Sequence, residues 1–306
     1  MLKTPDADRS VASILQRNTN LFNLEPSLPE FQTKLNVWTE SIKGRLLNLR
    51  GEANTKPIVS VVVPAMDEEK YILQLLESLA RQKTDLPVEV IVVANNCSPD
   101  DKTAAIARAS GVVVIEYSSP NLKTPQISWA RQRGLERAQG KIIVSTDADV
   151  IASPKWLETL TKPLLLDAGV SMTTGDVQHY GGGLVMKVHD TFTRFTRRSI
   201  RAMGKYGVKS RYSNAIGVGQ NMAFRKSDAL EVGGYNMKTF REDTFLGLAL
   251  TKVGRPMLIT SPDAKTWASA RRFKNESYLN ALKNRLQIRG GDRFYYDKNG
   301  NFKNYR

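Results

Sequence analysis

Short apolar runs alternate with segments of helical period through the first half of the chain. The runs are rich in β-branched residues and lack a helical period, which is typical of strands buried on both faces of a sheet. They predict four strands, at residues 58–63, 88–93, 112–117 and 141–146. Amphipathic segments separate them; the first places Tyr71, Leu75, Leu76 and Leu79 on one face, and the others cover 102–109 and 127–138. Three successive strand–helix units predict an α/β fold with a mostly parallel sheet flanked by helices.

Helical periodicity also marks the first 55 residues. Apolar positions from Val11 to Leu15 and from Phe31 to Leu49 recur at helical intervals around a polar, proline-containing stretch. We expect these helices to pack on the main domain and to carry no chemistry. The predicted domains are a helical N-terminal extension at 1–55, a main domain at 56–273 with halves at 56–150 and 151–273, and a basic C-terminal helix and tail at 274–306.

A second amphipathic helix is predicted from Asp190 to Tyr206, after a joint of three glycines at residues 181–183. At about 100° per residue, one face is apolar and the opposite face is basic. The apolar face holds Phe192, Phe195, Ile200, Met203 and Tyr206, and the basic face holds Arg194, Arg197, Arg198, Arg201 and Lys205. Two interpretations stay open: a helix packed on the core with a solvated basic face, or a contact with an anionic membrane surface or acceptor.

Composition agrees with a globular protein. The chain has 306 residues, of which 41% are hydrophobic, enough for a full core. No apolar run has the length that spans a bilayer, and the sequence does not open on a signal peptide, so we expect a cytoplasmic protein, with a peripheral position on the inner face of the membrane as the variant. The single cysteine, Cys97, excludes an internal disulfide and is expected to be structural.

The formal net charge of +15 is unevenly distributed. Residues 190–211 hold seven Lys/Arg against one Asp, and residues 265–306 hold eleven against three acids, so almost all the excess lies in these two segments. Such asymmetry suits nucleic acid, an anionic membrane surface or phosphorylated substrates. No helix-turn-helix, zinc-finger or RNA-binding signature accompanies the charge, so no nucleic-acid partner is expected.

Two carboxylates, Asp147 and Asp149, follow the predicted strand at 141–146. Open α/β sheets bind ligands at the carboxyl ends of their strands, and side chains two residues apart in an extended chain point the same way. Oxygen ligands of this kind favour Mg²⁺ or Mn²⁺, completed by water and phosphate oxygens. The alternative is that one aspartate caps the following helix, although Ser153, before Pro154, already fits that cap.

Two common phosphate-binding motifs are absent from the sequence. The chain has no Gly-x-Gly-x-x-Gly after a predicted strand and no Walker-type loop. These absences argue against a dinucleotide enzyme and a P-loop NTPase.

Several short motifs, taken in chain order, resemble glycosyltransferase family 2 proteins of the GT-A fold. They are Val61-Val62-Val63-Pro64-Ala65-Met66-Asp67-Glu68-Glu69, the turn at 94–100, Ala130-Arg131-Gln132-Arg133-Gly134, Asp147-Ala148-Asp149, the segment at 217–225 leading to Val232-Gly233-Gly234-Tyr235, and Arg241-Glu242-Asp243. The resemblance runs from about residue 57 to 273. Met66 stands where the family usually has an aromatic residue, and Asn95 stands where it commonly has an aspartate that contacts the base.

The resemblance implies a set of site residues. Those implied to bind the nucleotide sugar are Pro64, Ala65, Met66, Glu68, Asn95, Asn96, Arg131, Asp147, Ala148, Asp149, Gln220, Asn221, Arg271 and Arg272, with Asp147 and Asp149 also binding the metal. Asp243, with Glu242 beside it, matches the motif whose aspartate is the family's proposed base. Trp267 is expected either to stack on a sugar or base or to anchor a plain basic loop. Some GT-A enzymes use a late histidine as a further metal ligand; this chain has none after His189, and His179 and His189 are expected to be ordinary polar residues.

The reaction implied is transfer of a sugar from a nucleotide-diphosphate donor to a hydroxyl of a carbohydrate or lipid-linked acceptor, with Mg²⁺ or Mn²⁺ on the diphosphate. One base and no assigned nucleophile imply inversion. Two other functions stay open: a non-catalytic protein that binds a membrane or polyanion, and a sugar-phosphate nucleotidyltransferase. The absence of a Gly-rich activating loop near the first strand weakens the nucleotidyltransferase interpretation.

Overall fold

The computed structural model describes residues 6–52, 55–118, 126–205, 218–237 and 241–271. The helices in these ranges are α1 (Asp6–Phe22), α2 (Pro29–Arg50), α3 (Ile72–Ala80), α4 (Thr103–Ala109), α5 (Gln126–Arg137), α6 (Trp156–Leu166), α7 (Gly183–Lys205), α8 (Lys226–Glu231) and α9 (Glu242–Leu250). The strands are β1 (Val59–Ala65), β2 (Val88–Asn95), β3 (Val113–Tyr117), β4 (Ile142–Ser145), β5 (Val150–Ala152), β6 (Val170–Thr174), β7 (Val177–Tyr180), β8 (Met222–Arg225), β9 (Arg255–Leu258) and β10 (Thr266–Ser269).

The main sheet has seven strands in the order β3-β2-β1-β4-β8-β6-β9. Strands β1 to β4 are mutually parallel, β8 is antiparallel to β4 and β6, and β9 is parallel to β6. The four strands predicted from the β-branched runs are β1 to β4, and every residue of β1, β2 and β4 is buried. The predicted α/β class with a mostly parallel sheet is therefore confirmed. The loops after β1, β2 and β4 meet at the carboxyl edge of the sheet.

A second, three-stranded sheet in the order β5-β10-β7 stands beside the main one. It begins directly after Asp149, and the Ser269 amide in β10 donates to the Asp149 carbonyl at 3.2 Å. The Tyr180 hydroxyl, at the end of β7, donates to the same carbonyl at 3.1 Å. The backbone of Asp149 is therefore held by two strands of the small sheet.

The N-terminal helices pack on the main domain, as their periodicity predicts. Phe31, Trp38 and Ile42 of α2 are buried in the same apolar cluster as β1, β2 and α3. The Trp38 indole donates to the buried Glu77 carboxylate of α3 at 3.1 Å, and Arg45 pairs with that carboxylate at 2.7 Å. Burial raises the pKa of Glu77, but the charges of Arg81 and Arg45 outweigh this effect, so the pKa of Glu77 lies below its usual value. The domain boundaries themselves stay a prediction, and residues 274–306 lie outside the described residues.

Helix α7 begins earlier than the helix predicted from Asp190 and presents a different face to the core. Among the α7 side chains that the structure describes, Met186, His189 and Asp190 are buried, whereas Phe192 and Phe195 are 65% and 68% exposed. The interpretation in which the phenylalanine face packs on the core is therefore wrong for these two residues, because the polar pair His189 and Asp190 takes the inner position. In the described part of the chain, no helix is both long and apolar enough to cross a membrane.

Candidate active site

Arg131 lies at the centre of the site, on α5, with 2% of its surface exposed. Its guanidinium donates to the Gly219 carbonyl at 2.6 Å, to the Asp147 carboxylate at 2.6 Å and to the Ser145 hydroxyl. Its Nε atom lies 3.1 Å from the Glu242 carboxylate. One side chain thus joins the end of β4, the loop before β8 and the start of α9. Burial lowers the pKa of Arg131, but Asp147 and Glu242 outweigh burial and raise it, so the guanidinium stays charged.

Glu242 is the first residue of α9 and is 2% exposed. Burial, together with the charges of Asp243 and Asp147, raises the pKa of Glu242 to about 8 against the opposing effect of Arg131. The nearest cation is the Arg131 guanidinium, which Glu242 helps to orient. The chemical role that this geometry supports is positioning of Arg131.

Asp243, the next residue, faces the loop before β8 and is half-buried. One carboxylate oxygen accepts from the Gly219 amide at 2.7 Å, and the other accepts from the Thr244 amide at 2.6 Å. The Thr244 hydroxyl also donates to Oδ1, at 3.2 Å, so of the two oxygens it is Oδ2, with one bond to the Gly219 amide, that keeps acceptor capacity. Asp243 and Arg131 therefore contact the same residue: Asp243 accepts from the Gly219 amide, and Arg131 donates to the Gly219 carbonyl.

Asp147 and Asp149 both retain solvent exposure, at 22% and 11% of their side chains. Asp147 pairs with Arg131, and Asp149 lies 3.3 Å from the Arg271 guanidinium. Partly exposed carboxylates at the end of a strand, each balanced by an arginine, fit a hard divalent cation completed by phosphate oxygens and water. The donor set therefore fits Mg²⁺ or Mn²⁺.

Arg271 connects the small sheet with the loop after β1. Its guanidinium pairs with the Glu68 carboxylate and lies over the Tyr71 ring at 4.2 Å from the centroid. Burial lowers the pKa of Arg271, but the hydrogen bond with Glu68 and the charge of Asp149 outweigh it and raise the pKa. Glu68, Arg271 and Asp149 are thus brought together, while Arg272 lies outside the described residues.

The loops after β1 and β2 are tied to each other. Both oxygens of Asp67 accept from Ser98, one from its amide and one from its hydroxyl, each at 2.7 Å. Asp67 and Asn96 have φ values of 52° and 51°, the left-handed conformation that tight turns require. The Asn95 and Asn96 amides both donate to Gln126 at the start of α5, at 2.9 Å and 2.5 Å.

Cys97, in the same loop, is half-buried; burial and the nearby Asp101 and Glu68 raise its pKa to about 12, which agrees with a structural thiol.

Other predicted residues lie in the interior. The Asn221 amide accepts from the Trp156 indole at 2.8 Å and donates to the carbonyls of Asp176 and Ala264. Pro64 and Ala65 are buried in β1, and Ala148 is 2% exposed in the core. The backbone carbonyl of Gln220 accepts from the Thr146 hydroxyl. Trp267 packs with Val11, Ile14 and Ile151, so the structure places it as an anchor.

Sequence reasoning missed three contributors to this arrangement. Asp67 lies inside the first quoted motif, but its link to Ser98 depends on two loops meeting in space. Tyr71 belongs to the apolar helix face predicted from the sequence, whereas in the structure its ring lies under the Arg271 guanidinium. Gly219 lies inside the motif segment at 217–225, and its carbonyl contacts Arg131 while its amide contacts Asp243. The positions of Asp67 and Gly219 inside quoted motifs were the available signals.

Relatives among known proteins match between 37% and 78% of this chain. Glucosyl-3-phosphoglycerate synthase from Mycolicibacterium paratuberculosis is 33% identical over 116 residues, which cover 37% of this chain and 35% of the relative. Poly(ribitol-phosphate) beta-N-acetylglucosaminyltransferase TarS from Staphylococcus aureus is 25% identical over 242 residues, covering 78% of this chain and 35% of the relative. The matched part is thus about a third of the length of either relative.

Solved structures share the fold at low sequence identity. The mannosyltransferase PcManGT from Pyrobaculum calidifontis, in complex with GDP-Man and Mn²⁺, superposes with a TM-score of 0.53 at 16% identity and covers 93% of this chain and 78% of that chain. TarS residues 1–349 in complex with UDP-GlcNAc superposes with a TM-score of 0.50 at 18% identity, covering 69% and 58%. The sequence profile of Glycosyl transferase family 2 matches residues 60–233, more than half of the chain. The resemblance noted from the motifs is confirmed, and the chain belongs to glycosyltransferase family 2.

Proposed function

We propose that this protein is an inverting, metal-dependent glycosyltransferase that moves a sugar from a nucleotide-diphosphate donor to a hydroxyl acceptor. The observation that carries the proposal is the Arg131 network, which joins Asp147 at the end of β4 to Glu242 at the start of α9 and, through Gly219, to Asp243. A donor-side carboxylate and a candidate base therefore belong to one network around a buried cation. The sugar-nucleotide complexes of PcManGT and TarS support this class of donor.

The donor end is formed by the loops at the carboxyl edge of the sheet. Asp147 and Asp149 would hold Mg²⁺ or Mn²⁺, and the cation, when bound, supplies Lewis-acid stabilisation of the diphosphate leaving group. The loops that carry Pro64 to Glu68 and Asn95–Asn96 lie beside it and would receive the nucleoside. Arg271, with Arg272 after it, would add charge-assisted hydrogen bonds to the phosphates once the donor competes for its guanidinium.

The acceptor end is formed by Asp243. As the acceptor oxygen attacks the anomeric carbon, its proton passes to the Asp243 carboxylate, and the bond from carbon to the diphosphate oxygen breaks. The nucleoside diphosphate leaves with the bonding electron pair. A single displacement inverts the anomeric configuration. Glu242 is a positioning residue in this scheme, since its carboxylate contacts the Arg131 guanidinium and no reacting atom.

The test of the donor site is binding of nucleotide sugars with metal. A panel of UDP-, GDP- and dTDP-sugars with Mn²⁺ or Mg²⁺ is expected to contain one donor that raises the melting temperature only when the metal is present. Asp147→Asn and Asp149→Asn are expected to weaken Mn²⁺ binding at least about tenfold, because each removes an anionic ligand. Titration of Mn²⁺ by electron paramagnetic resonance measures this directly.

Asp85→Asn is the matched control, since Asp85 is exposed and lies away from the site. It should bind Mn²⁺ and donor as the wild type does. The donor-site assignment fails if no nucleotide sugar stabilises the wild type with either metal, or if Asp147→Asn and Asp149→Asn retain wild-type Mn²⁺ affinity.

We further propose that the acceptor is reached at an anionic membrane surface through α7. The described side chains of α7 form an exposed apolar stripe, in which Leu184, Val185, Val188, Phe192 and Phe195 are 54% to 76% exposed. Lys187 is exposed on the same helix, and the sequence of its second half adds Arg197, Arg198, Arg201 and Lys205. An apolar stripe on a basic helix is the pattern of helices that lie in the membrane interface. Each basic residue near an anionic surface adds about 1 kcal/mol of attraction.

Vesicle sedimentation tests this surface. The wild type is expected to bind phosphatidylserine-containing vesicles at low salt and to be released at high salt. The double substitution Phe192→Ser and Phe195→Ser should weaken binding at least about tenfold, whereas Leu166→Ser, at a 76% exposed position on α6, should leave binding unchanged. Equal binding by all three proteins, or a stable dimer that loses its contact in the double variant, would show that the stripe has another occupant.

A further inference from the structure

The two histidines of this chain lie side by side, outside the Arg131 network. His179 is in β7 and His189 is in α7, and their ring centroids are 5.9 Å apart. Asp190 lies between them. Because the 306-residue sequence contains no other histidine, every imidazole of the protein is in this one cluster.

The cluster has the dimensions of a transition-metal site. The Asp190 Oδ1 atom lies 2.7 Å from His179 Nδ1 and 3.3 Å from His189 Nδ1. One ligand atom from each of the three residues lies within 4.8 Å of the others. In a tetrahedral zinc site with bonds of about 2.0–2.1 Å, neighbouring ligand atoms are about 3.3 Å apart. The separation of Asp190 from His189 already has this value, and the separation of Asp190 from His179 would open by about 0.6 Å to reach it.

Burial leaves the carboxylate in need of a cation. The side chains of His179, His189 and Asp190 are only 10%, 6% and 7% exposed. Among the described residues, the ion-pair partners of Asp190 are the two histidines, and neither a lysine nor an arginine is within ion-pair distance. A buried carboxylate without a compensating charge is costly. The charge can come from a metal ion or from a proton on an imidazole.

The surrounding contacts resemble the outer shell of a metal site. The backbone amide of His179 donates to Asp190 Oδ2 at 2.7 Å, and the Thr193 hydroxyl lies 3.4 Å from His189 Nε2. Such contacts orient ligands and fix the tautomer of each imidazole. Two nitrogens and one carboxylate oxygen suit Zn²⁺, whereas the oxygen-only pair at Asp147 and Asp149 suits Mg²⁺ or Mn²⁺.

We propose that His179, His189 and Asp190 form a zinc site with three protein ligands, in which water takes the fourth position, and that the ion fixes the first half of α7 to β7. The ion would join two elements that are consecutive in the chain and separated by Gly181 and Gly182. It would hold the buried side of α7 and so orient the exposed apolar stripe described above. The site is separate in composition from the donor site, and its test does not depend on glycosyl transfer.

Cobalt substitution provides the first test, on the full chain with any affinity tag removed and metals stripped by chelation. One equivalent of Co²⁺ is expected to bind with visible absorption bands typical of nitrogen ligation, and Zn²⁺ should displace it. His189→Asn should weaken this binding at least about tenfold, since a nitrogen ligand is lost. Asp147→Asn, in the donor site, should retain the nitrogen-type spectrum.

Nuclear magnetic resonance of the wild type provides a second test that needs no variant. With only two histidines, the ring ¹⁵N signals of each can be followed directly, and Zn²⁺ should shift one nitrogen of both rings together. The proposal is overturned if Zn²⁺ leaves both rings unchanged, which would assign the compensating charge to a proton. It is also overturned if the cobalt spectrum shows oxygen ligation alone or is the same in His189→Asn.

Discussion

Replacing Arg131 with methionine is expected to lower the free energy of unfolding by about 3–5 kcal/mol, the range for removing one partner of a buried ion pair. Arg131 is 2% exposed and pairs with the Asp147 carboxylate, and its Nε atom lies 3.1 Å from the equally buried Glu242. Methionine fills much of the volume but leaves Asp147 and the Gly219 carbonyl without their donor and Glu242 without its ion-pair partner. Urea unfolding followed by circular dichroism, with the slope checked against the wild type, measures the loss.

Arg133→Met is the matched control on the same helix. The Arg133 side chain is 46% exposed and pairs with Glu136 at 3.4 Å, so its removal should cost less than about 1 kcal/mol. A second variant, Gly219→Ala, tests the position of the guanidinium, because a Cβ at residue 219 would lie 2.3 Å from Arg131 Nη1. If the free energy of unfolding of Arg131→Met lies within about 1 kcal/mol of the wild-type value, the stabilising role of the Arg131 network is contradicted.

Combining Arg131→Met with Glu242→Gln separates the contribution of the pair from that of the uncompensated acid. Burial raises the pKa of Glu242 to about 8 against the opposing effect of Arg131, so loss of the guanidinium would raise this pKa further. Glutamine keeps the shape without the charge, and the double variant should be more stable than the sum of the single losses predicts. A purely additive result would show that Glu242 and Arg131 are not coupled.

The strands and the position of the aspartates were predictable from sequence for a physical reason. A run such as Ile142-Ile143-Val144 carries its own strand preference and burial pattern, and the acids after it must then lie at the edge of the sheet. The contact between Arg131 and Glu242 was not predictable, because it depends on α5 and α9 meeting across the end of β4. Motif spacing placed both residues in one family pattern but gave no distance between them.

Two other predictions show what periodicity and motifs leave open. A helical wheel separates two faces of α7, but it cannot say which face is buried; the structure buries His189 and Asp190 and exposes Phe192. A motif likewise does not say where a side chain points. The Asn221 amide makes contacts with Trp156, Asp176 and Ala264 in the interior. Both outcomes depend on packing between elements distant in the chain.

Replacing Asp243 with asparagine is expected to lower kcat by about 10²–10⁴-fold, the range for loss of a general base. Asparagine has nearly the same shape but cannot accept the acceptor's proton at neutral pH. Its amide can accept from the Gly219 amide or from the Thr244 amide, but not from both, since one of its two polar atoms is a donor. We therefore expect a stability loss of about 1–2 kcal/mol as well, measurable by thermal unfolding.

Measuring donor binding by Asp243→Asn distinguishes a loss of the proton-transfer step from a loss of site structure. If Asp243 acts on the acceptor proton, Asp243→Asn should bind the nucleotide sugar and metal within about threefold of the wild type while transfer falls, because the interaction with the base is made during the attack. Glu242→Gln should instead change donor affinity through Arg131, and Asp85→Asn should change neither. The anomeric configuration of the product, read by NMR, should be inverted relative to the donor. Transfer by Asp243→Asn within tenfold of the wild type would remove Asp243 as the base, and a retained configuration would require a nucleophile instead.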